Sequence, residues 1–169
     1  VNDISDSVQK YRSLVFRVAL GYVRNIHDAD DVTQNVFVKL MTKGKTFDSA
    51  EAEKAWLIRV AVNEAKNLLK SAWFRKTTAL DESLAVPENH DLHLYDYVKK
   101  LKPKYRTVIY LHYYEKYTAK EIAVILKMPQ NTVLTQLKRA REQLKTIIEK
   151  EDFDYDKQDK QGENLYGFI

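Results

Sequence analysis

The chain has 169 residues, 44% of them hydrophobic, which is enough for one medium domain or two small ones with a real core, and its 4 glycines and 3 prolines favour helices over turn-rich sheets. It has no cysteine, which excludes disulfides, thiolate metal sites and cysteine nucleophiles, and no apolar run nears the ~20 residues that span a bilayer. Its net charge of +4 is uneven: residues 150–169 carry six acids and three lysines, so the remainder stands at +7, a balance that suits a polyanionic partner.

From the N-terminus, Val8, Tyr11, Leu14, Val15, Val18, Ala19 and Tyr22 recur at spacings of three and four and predict a helix over 4–24. A second helix is expected from about Asp28, where Asp28, Asp30 and Asp31 meet the positive end of the helix, with Val32, Val36, Phe37 and Leu40 buried and Gly44 as the stop. Residues 43–50 read as a loop. Ser49 is placed to cap a third helix that runs to about Trp73, with Trp56, Leu57, Val60, Ala61, Ala65, Leu68 and Leu69 inside and Arg59, Asn63, Lys66, Asn67 and Lys70 on a polar flank.

Periodicity is lost over 75–90, which reads as a flexible linker between residues 1–74 and a second domain over 91–149. Two helices are expected there before Tyr117, over about 91–101 and 103–116, the second with Pro103 in its first turn. The segment from Thr118 to Glu121 has the form of a capping box and opens a short helix, 119–126. A turn at 127–130 and a long helix, 131–149, complete a helix-turn-helix. Ile122, Ala123 and Leu126 supply small apolar contacts, and Val133, Leu137 and Ala140 the buried stripe. Gln130, Asn131, Thr132, Thr135, Gln136, Lys138 and Arg139 remain for bases and phosphates. The basic run Lys99, Lys100, Lys102, Lys104 and Arg106 is expected to meet phosphate or a protein partner. The polar tail from 150 is expected to compete with DNA for the basic face.

No nucleophile, acid–base pair, P-loop or dinucleotide fingerprint stands out, so no enzyme is expected, and no cofactor. His90 and His93 have metal-like spacing without further ligands, and no metal is expected there. Glu121 reads as a cap, and Trp56 as core.

Five segments in order carry a resemblance. Residues 28–37, D-A-D-D-V-T-Q-N-V-F, resemble the D-A-E-D-L-x-Q-E-x-F segment of extracytoplasmic-function sigma factors of bacterial RNA polymerase. Residues 56–63, W-L-I-R-V-A-V-N, followed by N-L-L-K at 67–70, are similar to that family's W-L-x-x-I-A-x-N and D-x-x-R. Residues 101–106, 118–123 and 132–141 are similar to L-P-x-x-x-R, S-x-x-E-I-A and T-V-K-S-R-L-x-R-A-R.

The resemblance implies an all-α protein of two small helical domains, sigma-two and sigma-four, in the cytoplasm. It implies polymerase core, promoter DNA and an anti-sigma factor as partners, with no membrane insertion. Asp28, Asp31, Gln34 and Asn35 match the polymerase-docking positions. Lys43 and Lys45 in the loop, with Asn63, Lys66, Asn67 and Lys70, match the part that holds the opened minus-ten strand. The second domain would read the minus-thirty-five duplex. Lys127 stands where the family usually has glycine, Leu134 and Gln136 replace basic residues, Asn35 replaces a glutamate and Asn67 an aspartate. A stand-alone helix-turn-helix regulator of duplex DNA and a helical protein-binding module are the competing readings.

Overall fold

The computed structural model describes residues 4–75 and 97–163, with side chains over 4–71 and 97–150. Every regular element among the described residues is helical. These are α1 (Ile4–Val23), α2 (Ile26–Lys43), α3 (Ala50–Arg75), α4 (Pro103–Ile109) continued by a π-helical turn (Tyr110–Tyr114), α5 (Ala119–Leu126) and α6 (Gln130–Glu163). Arg75, the first residue of the expected linker 75–90, is helical as the end of α3; residues 76–90, most of the helix expected at 91–101, and His90 and His93 lie outside the described residues.

α1, α2 and α3 pack on one another as a three-helix unit. Its core is the predicted stripe of α1 together with Val32 and Val36 from α2 and Leu57, Ile58, Ala61 and Ala65 from α3. The helix ends follow local chemistry. Asn25, rather than the aspartates, caps α2: its side chain accepts from the Asp28 amide at 2.8 Å, and Asp28 Oδ2 accepts from the Asn25 amide group at 2.5 Å. Gly44 closes the helix in the left-handed region at φ 53°, which glycine enters without a Cβ clash. Ser49 Oγ accepts from the Ala52 amide at 3.1 Å, as its position predicts. Glu53 is buried at the head of α3 and accepts from the Ser7 hydroxyl at 2.5 Å, which ties α3 to α1.

The second unit packs α4, α5 and α6 around Leu101, Val108, Leu111, Ile122, Val133, Leu137 and Ala140. Two elements differ from expectation. The helix over 103–116 changes hydrogen-bond register at Tyr110, where Glu115 donates to the Tyr110 carbonyl at 3.2 Å. The last helix does not stop near 149 but runs 34 residues, so it is about 50 Å long at 1.5 Å per residue. That continuity carries the acidic stretch away from Asn131. A tail folded back on the chain's own basic face is therefore not what this helix builds.

The two units are docked, α4 against α1 and α5 against α3. Arg106 lies at the centre and is only 5% exposed, not on the basic face expected of it. Its guanidinium donates to the Gly21 carbonyl and, at 3.4 Å, to that of Tyr22, both at the C-terminus of α1. It also donates to Lys99 (3.1 Å) and Leu101 (2.5 Å) in its own unit. Terminal helix carbonyls lack internal donors and sit at the negative end of the dipole, so a fork-shaped cation fits them. Arg24, at φ 64° just past α1, adds a bond to the Lys99 carbonyl. On the other side, Lys54 meets Glu115 at 2.7 Å. Burial works against the Lys54 charge, but the hydrogen bond and charge of Glu115 outweigh it and raise its pKa.

Replacing Arg106 with methionine keeps the volume and leaves several shielded carbonyls without a donor. We expect a loss of about 3 kcal/mol in chemical denaturation. Arg106→Lys is expected to recover only part of it, because an ammonium lacks the planar fork. A loss under about 0.5 kcal/mol would show that these carbonyls are satisfied without Arg106.

Candidate nucleic-acid and polymerase interface

Three exposed faces gather the residues that the sequence singles out. On α2, Asp31, Gln34 and Asn35 are exposed on one side of the helix. Asp28 borders that side, but its carboxylate is drawn onto Asn25 as part of the cap. The same side carries two residues that sequence reasoning missed, Val38 (51% exposed) and Met41 (56%). At 100° per residue, positions 31, 34, 35, 38 and 41 fall within an arc of about 120°. Large apolar side chains left in water beside acids and amides form a rim-and-centre pattern suited to a protein partner. The signal was available in the sequence, since both residues fall outside the buried stripe of Val32, Val36 and Leu40.

On α3, Asn63, Lys66, Asn67 and Lys70 are all exposed and share one stripe, opposite the buried Leu57, Ala61 and Ala65. Lys66 lies over the Tyr22 ring at 5.9 Å. Arg59 falls on the same stripe, one turn earlier, but it is used elsewhere. Its Nε donates to the Ile125 carbonyl at 2.7 Å and its Nη2 to that of Val124 at 3.2 Å, capping the C-terminus of α5. Before α3, the exposed loop brings Lys45 near an aromatic pair, with the exposed Lys43 at the end of α2: Phe47 and Trp56 rings are 5.7 Å apart, and Lys45 lies over Trp56 at 5.7 Å. Trp56 is half-buried rather than fully core. Cations beside exposed ring edges are the components of a single-strand binding surface.

The third face belongs to α5 and α6, which form the expected helix-turn-helix. Thr118 Oγ1 accepts from the Glu121 amide at 3.2 Å, and Glu121 Oε2 accepts from the Thr118 amide at 2.8 Å, so the capping box is complete. The backbone bond from Thr118, and then its hydroxyl, hold the Glu121 carboxyl below its usual pKa. Lys127 ends α5 at φ 51°, ψ 51°, in the left-handed conformation that its place in the turn demands. Gln130, Asn131, Thr132, Thr135, Lys138 and Arg139 are exposed over the first turns of α6. Gln136 is not: it is half-buried, and its Oε1 is shielded with no hydrogen-bond partner. Leu134, at 47% exposure, takes a place among the outward residues.

Among the described residues no metal-binding cluster gathers, and no helix is long and apolar enough to cross a membrane.

Comparison with known proteins agrees with this division. Residues 7–75 match the family model of sigma-70 region 2, and residues 92–144 that of sigma-70 region 4. The chain is 30% identical to the RNA polymerase sigma factor SigV of Bacillus subtilis, over 90% of this chain and 92% of that one. It is 26% identical to the ECF RNA polymerase sigma factor SigW of the same organism, over 83% and 86%. In fold it is similar to the sigma factor RpoE of Bartonella quintana, solved with the anti-sigma factor NepR, with a TM-score of 0.71 and 20% identity over 88% of this chain and 98% of that one. It is also similar to CnrH, solved with the cytosolic domain of CnrY, with a TM-score of 0.62 and 21% identity over 86% and 87%.

The helix-turn-helix has one strained joint and one stabilising cap. Lys127→Gly removes a left-handed side chain and is expected to raise stability by about 1 kcal/mol; Thr118→Ala breaks the capping box and is expected to lower it by about 1 kcal/mol. Thermal unfolding of the two variants reads both. A destabilised Lys127→Gly would mean that the lysine side chain has a contact worth more than its strain.

Proposed function

Because the chain belongs to the extracytoplasmic-function branch of the sigma-70 family, we propose that it works as an alternative sigma factor in the cytoplasm: it binds core RNA polymerase, reads promoter DNA at two elements and assists strand opening, with no chemistry of its own. The observation that carries this is the set of three separate exposed faces on one chain: an acid, amide and apolar face on α2, a cationic and amide stripe on α3, and a polar reading face on α6. A stand-alone duplex-binding regulator needs only the last of these.

The proposed roles follow the three faces. Asp31, Gln34 and Asn35, with the apolar Val38 and Met41 beside them, dock on polymerase. Asn63, Lys66, Asn67 and Lys70, with Lys43 and Lys45 from the loop, hold the opened minus-ten strand. Flipping a base out costs a few kcal/mol, which cations along the backbone and ring faces offset. Gln130, Asn131, Thr132, Thr135, Lys138 and Arg139 approach the minus-thirty-five duplex. The division is residues 1–74 as sigma-two, 75–90 as linker, 91–149 as sigma-four and 150–169 as tail. An anti-sigma factor is the expected regulator, since the sigma factor RpoE, of similar fold, is solved with one.

The docked arrangement constrains how this works. The elements are named for positions about 25 base pairs apart, roughly 85 Å of duplex at 3.4 Å per pair. α5 is hydrogen-bonded to α3 by Arg59 at 2.7 Å. Helices in contact have axes ~10 Å apart, so the docked form cannot serve both elements at once. The units must separate on polymerase, and separation returns Arg59 to the stripe of Asn63 and Lys66.

The test is titration of the protein with bacterial core polymerase, then run-off transcription on a library of upstream regions. Nanomolar-range core binding and new start sites are expected. Met41→Asp is expected to weaken core binding about tenfold or more, from the ~1–2 kcal/mol of a buried apolar contact. Lys138→Ala is expected to leave core binding unchanged and lower promoter use. Salt-sensitive binding to duplex alone, with no affinity for core, would instead support the stand-alone regulator.

A further inference from the structure

Leu134 is 47% exposed on the second turn of α6, on the side of the helix that presents Asn131, Thr135 and Lys138. At 100° per residue these positions and Gln130 span an arc of about 140°, and Leu134 falls inside it rather than at its edge. Each of its neighbours on that arc is polar. The Thr135 hydroxyl is turned to its own helix, donating to the Asn131 carbonyl at 2.8 Å, and Lys138 leans toward Glu142 at 3.9 Å. Those two contacts draw polar groups aside and leave the leucine side chain prominent between them.

A single leucine ringed by polar residues is too small a patch to hold another protein. In a helix whose first turns enter the major groove, its surroundings become base edges. Every hydrogen-bonding group there is a donor or acceptor, and the one apolar group on the groove floor is the C5 methyl of thymine. Burying Leu134 against a polar edge would desolvate that edge without giving it a partner. Burying it against a methyl removes apolar surface from water on both sides.

Resting on the reading that the start of α6 enters the duplex element, we propose that Leu134 is a specificity-determining residue which selects a thymine by its methyl group. Gln136 does not compete for this role, since a helical count places it about 100° outside that arc and its Oε1 is shielded. The neighbouring Asn131 and Lys138 then position the helix and read adjacent bases, while Leu134 supplies discrimination that salt does not screen.

The test uses holoenzyme reconstituted with bacterial core polymerase on a promoter obtained by selection. Each thymine of the upstream element is replaced in turn by deoxyuridine, which removes the methyl and keeps every hydrogen-bonding group. The wild-type holoenzyme is expected to lose about three- to fivefold in affinity at one thymine, the worth of one buried methyl group. With Leu134→Ala, affinity is expected to be lower on the thymine promoter and indifferent to uridine at that same position. Because Leu134 is exposed, the variant should keep its unfolding midpoint, and its core binding serves as the control.

Indifference of the wild type to every uridine, or an element with no thymine, overturns the proposal while leaving the sigma-factor reading intact. Equal methyl dependence in wild type and Leu134→Ala also overturns it, by assigning the methyl to another residue. A wild-type holoenzyme that recognises no promoter would overturn the wider reading together with this one.

Discussion

One buried guanidinium ties the two halves of the chain together. Arg106 satisfies the last carbonyls of α1 and two carbonyls of its own unit, so the end of one helix bundle and the start of the other share a single donor set. A charge in that position costs several kcal/mol to desolvate, and it is tolerated because its surroundings are carbonyl oxygens at the negative end of a helix. Around it, Tyr22 is buried, which raises its pKa against the opposing effects of a hydrogen bond with Thr107 and the charge of Arg106. The same device recurs at the other contact, where Arg59 caps α5. Both joints include hydrogen bonds from arginine to helix ends, set within apolar packing that is continuous between the units. Such joints hold a defined geometry, yet water and phosphate can replace the carbonyls when the units part.

That choice of chemistry bears on function. The docked units leave the α2 face, the α3 stripe from Asn63 onward and the α6 reading face all exposed. Docking therefore does not act by covering those surfaces. On the proposed roles it would act by distance, holding close together two surfaces whose targets lie far apart, and by taking Arg59 out of the α3 stripe. Polymerase, by gripping α2 and the second unit separately, would supply the free energy for separation.

Much of this was legible in the sequence. The buried stripes of α1 and α3, the Gly44 stop, the Ser49 cap and the Thr118–Glu121 capping box are short-range patterns in which the partner sits within four residues. Lys127 was readable as a strained joint only through the resemblance, since it stands where that family usually has glycine; its φ of 51° is left-handed. What escaped depends on distant partners or on subtle backbone register. Arg106 looks like one more cation in a basic run, and its partners lie 84 and 85 residues away. Arg59 looks like solvated flank. The π-helical turn at Tyr110–Tyr114 keeps an apolar pattern close to that of an α-helix. The sequence pattern places the start of α2 near Asp28 and marks no cap for it; Asn25 serves, its uncharged amide accepting from the Asp28 amide and donating to the Asp28 carboxylate. Val38 and Met41 lie outside the buried stripe of Val32, Val36 and Leu40, and their hydrophobicity alone does not tell an exposed position from a buried one.

The central claim is that a sigma factor whose units are docked when free must separate them to read two elements. The chain has no cysteine, so two can be added and labelled cleanly. Ser71→Cys on α3 and Lys120→Cys on α5 are both exposed sites, one on each unit. Single-molecule energy transfer between dyes at these positions is predicted to be high in the free protein and to fall nearly to zero in holoenzyme bound to its promoter, where the separation approaches the roughly 85 Å between elements. Unchanged transfer in a holoenzyme that still initiates transcription would contradict the account.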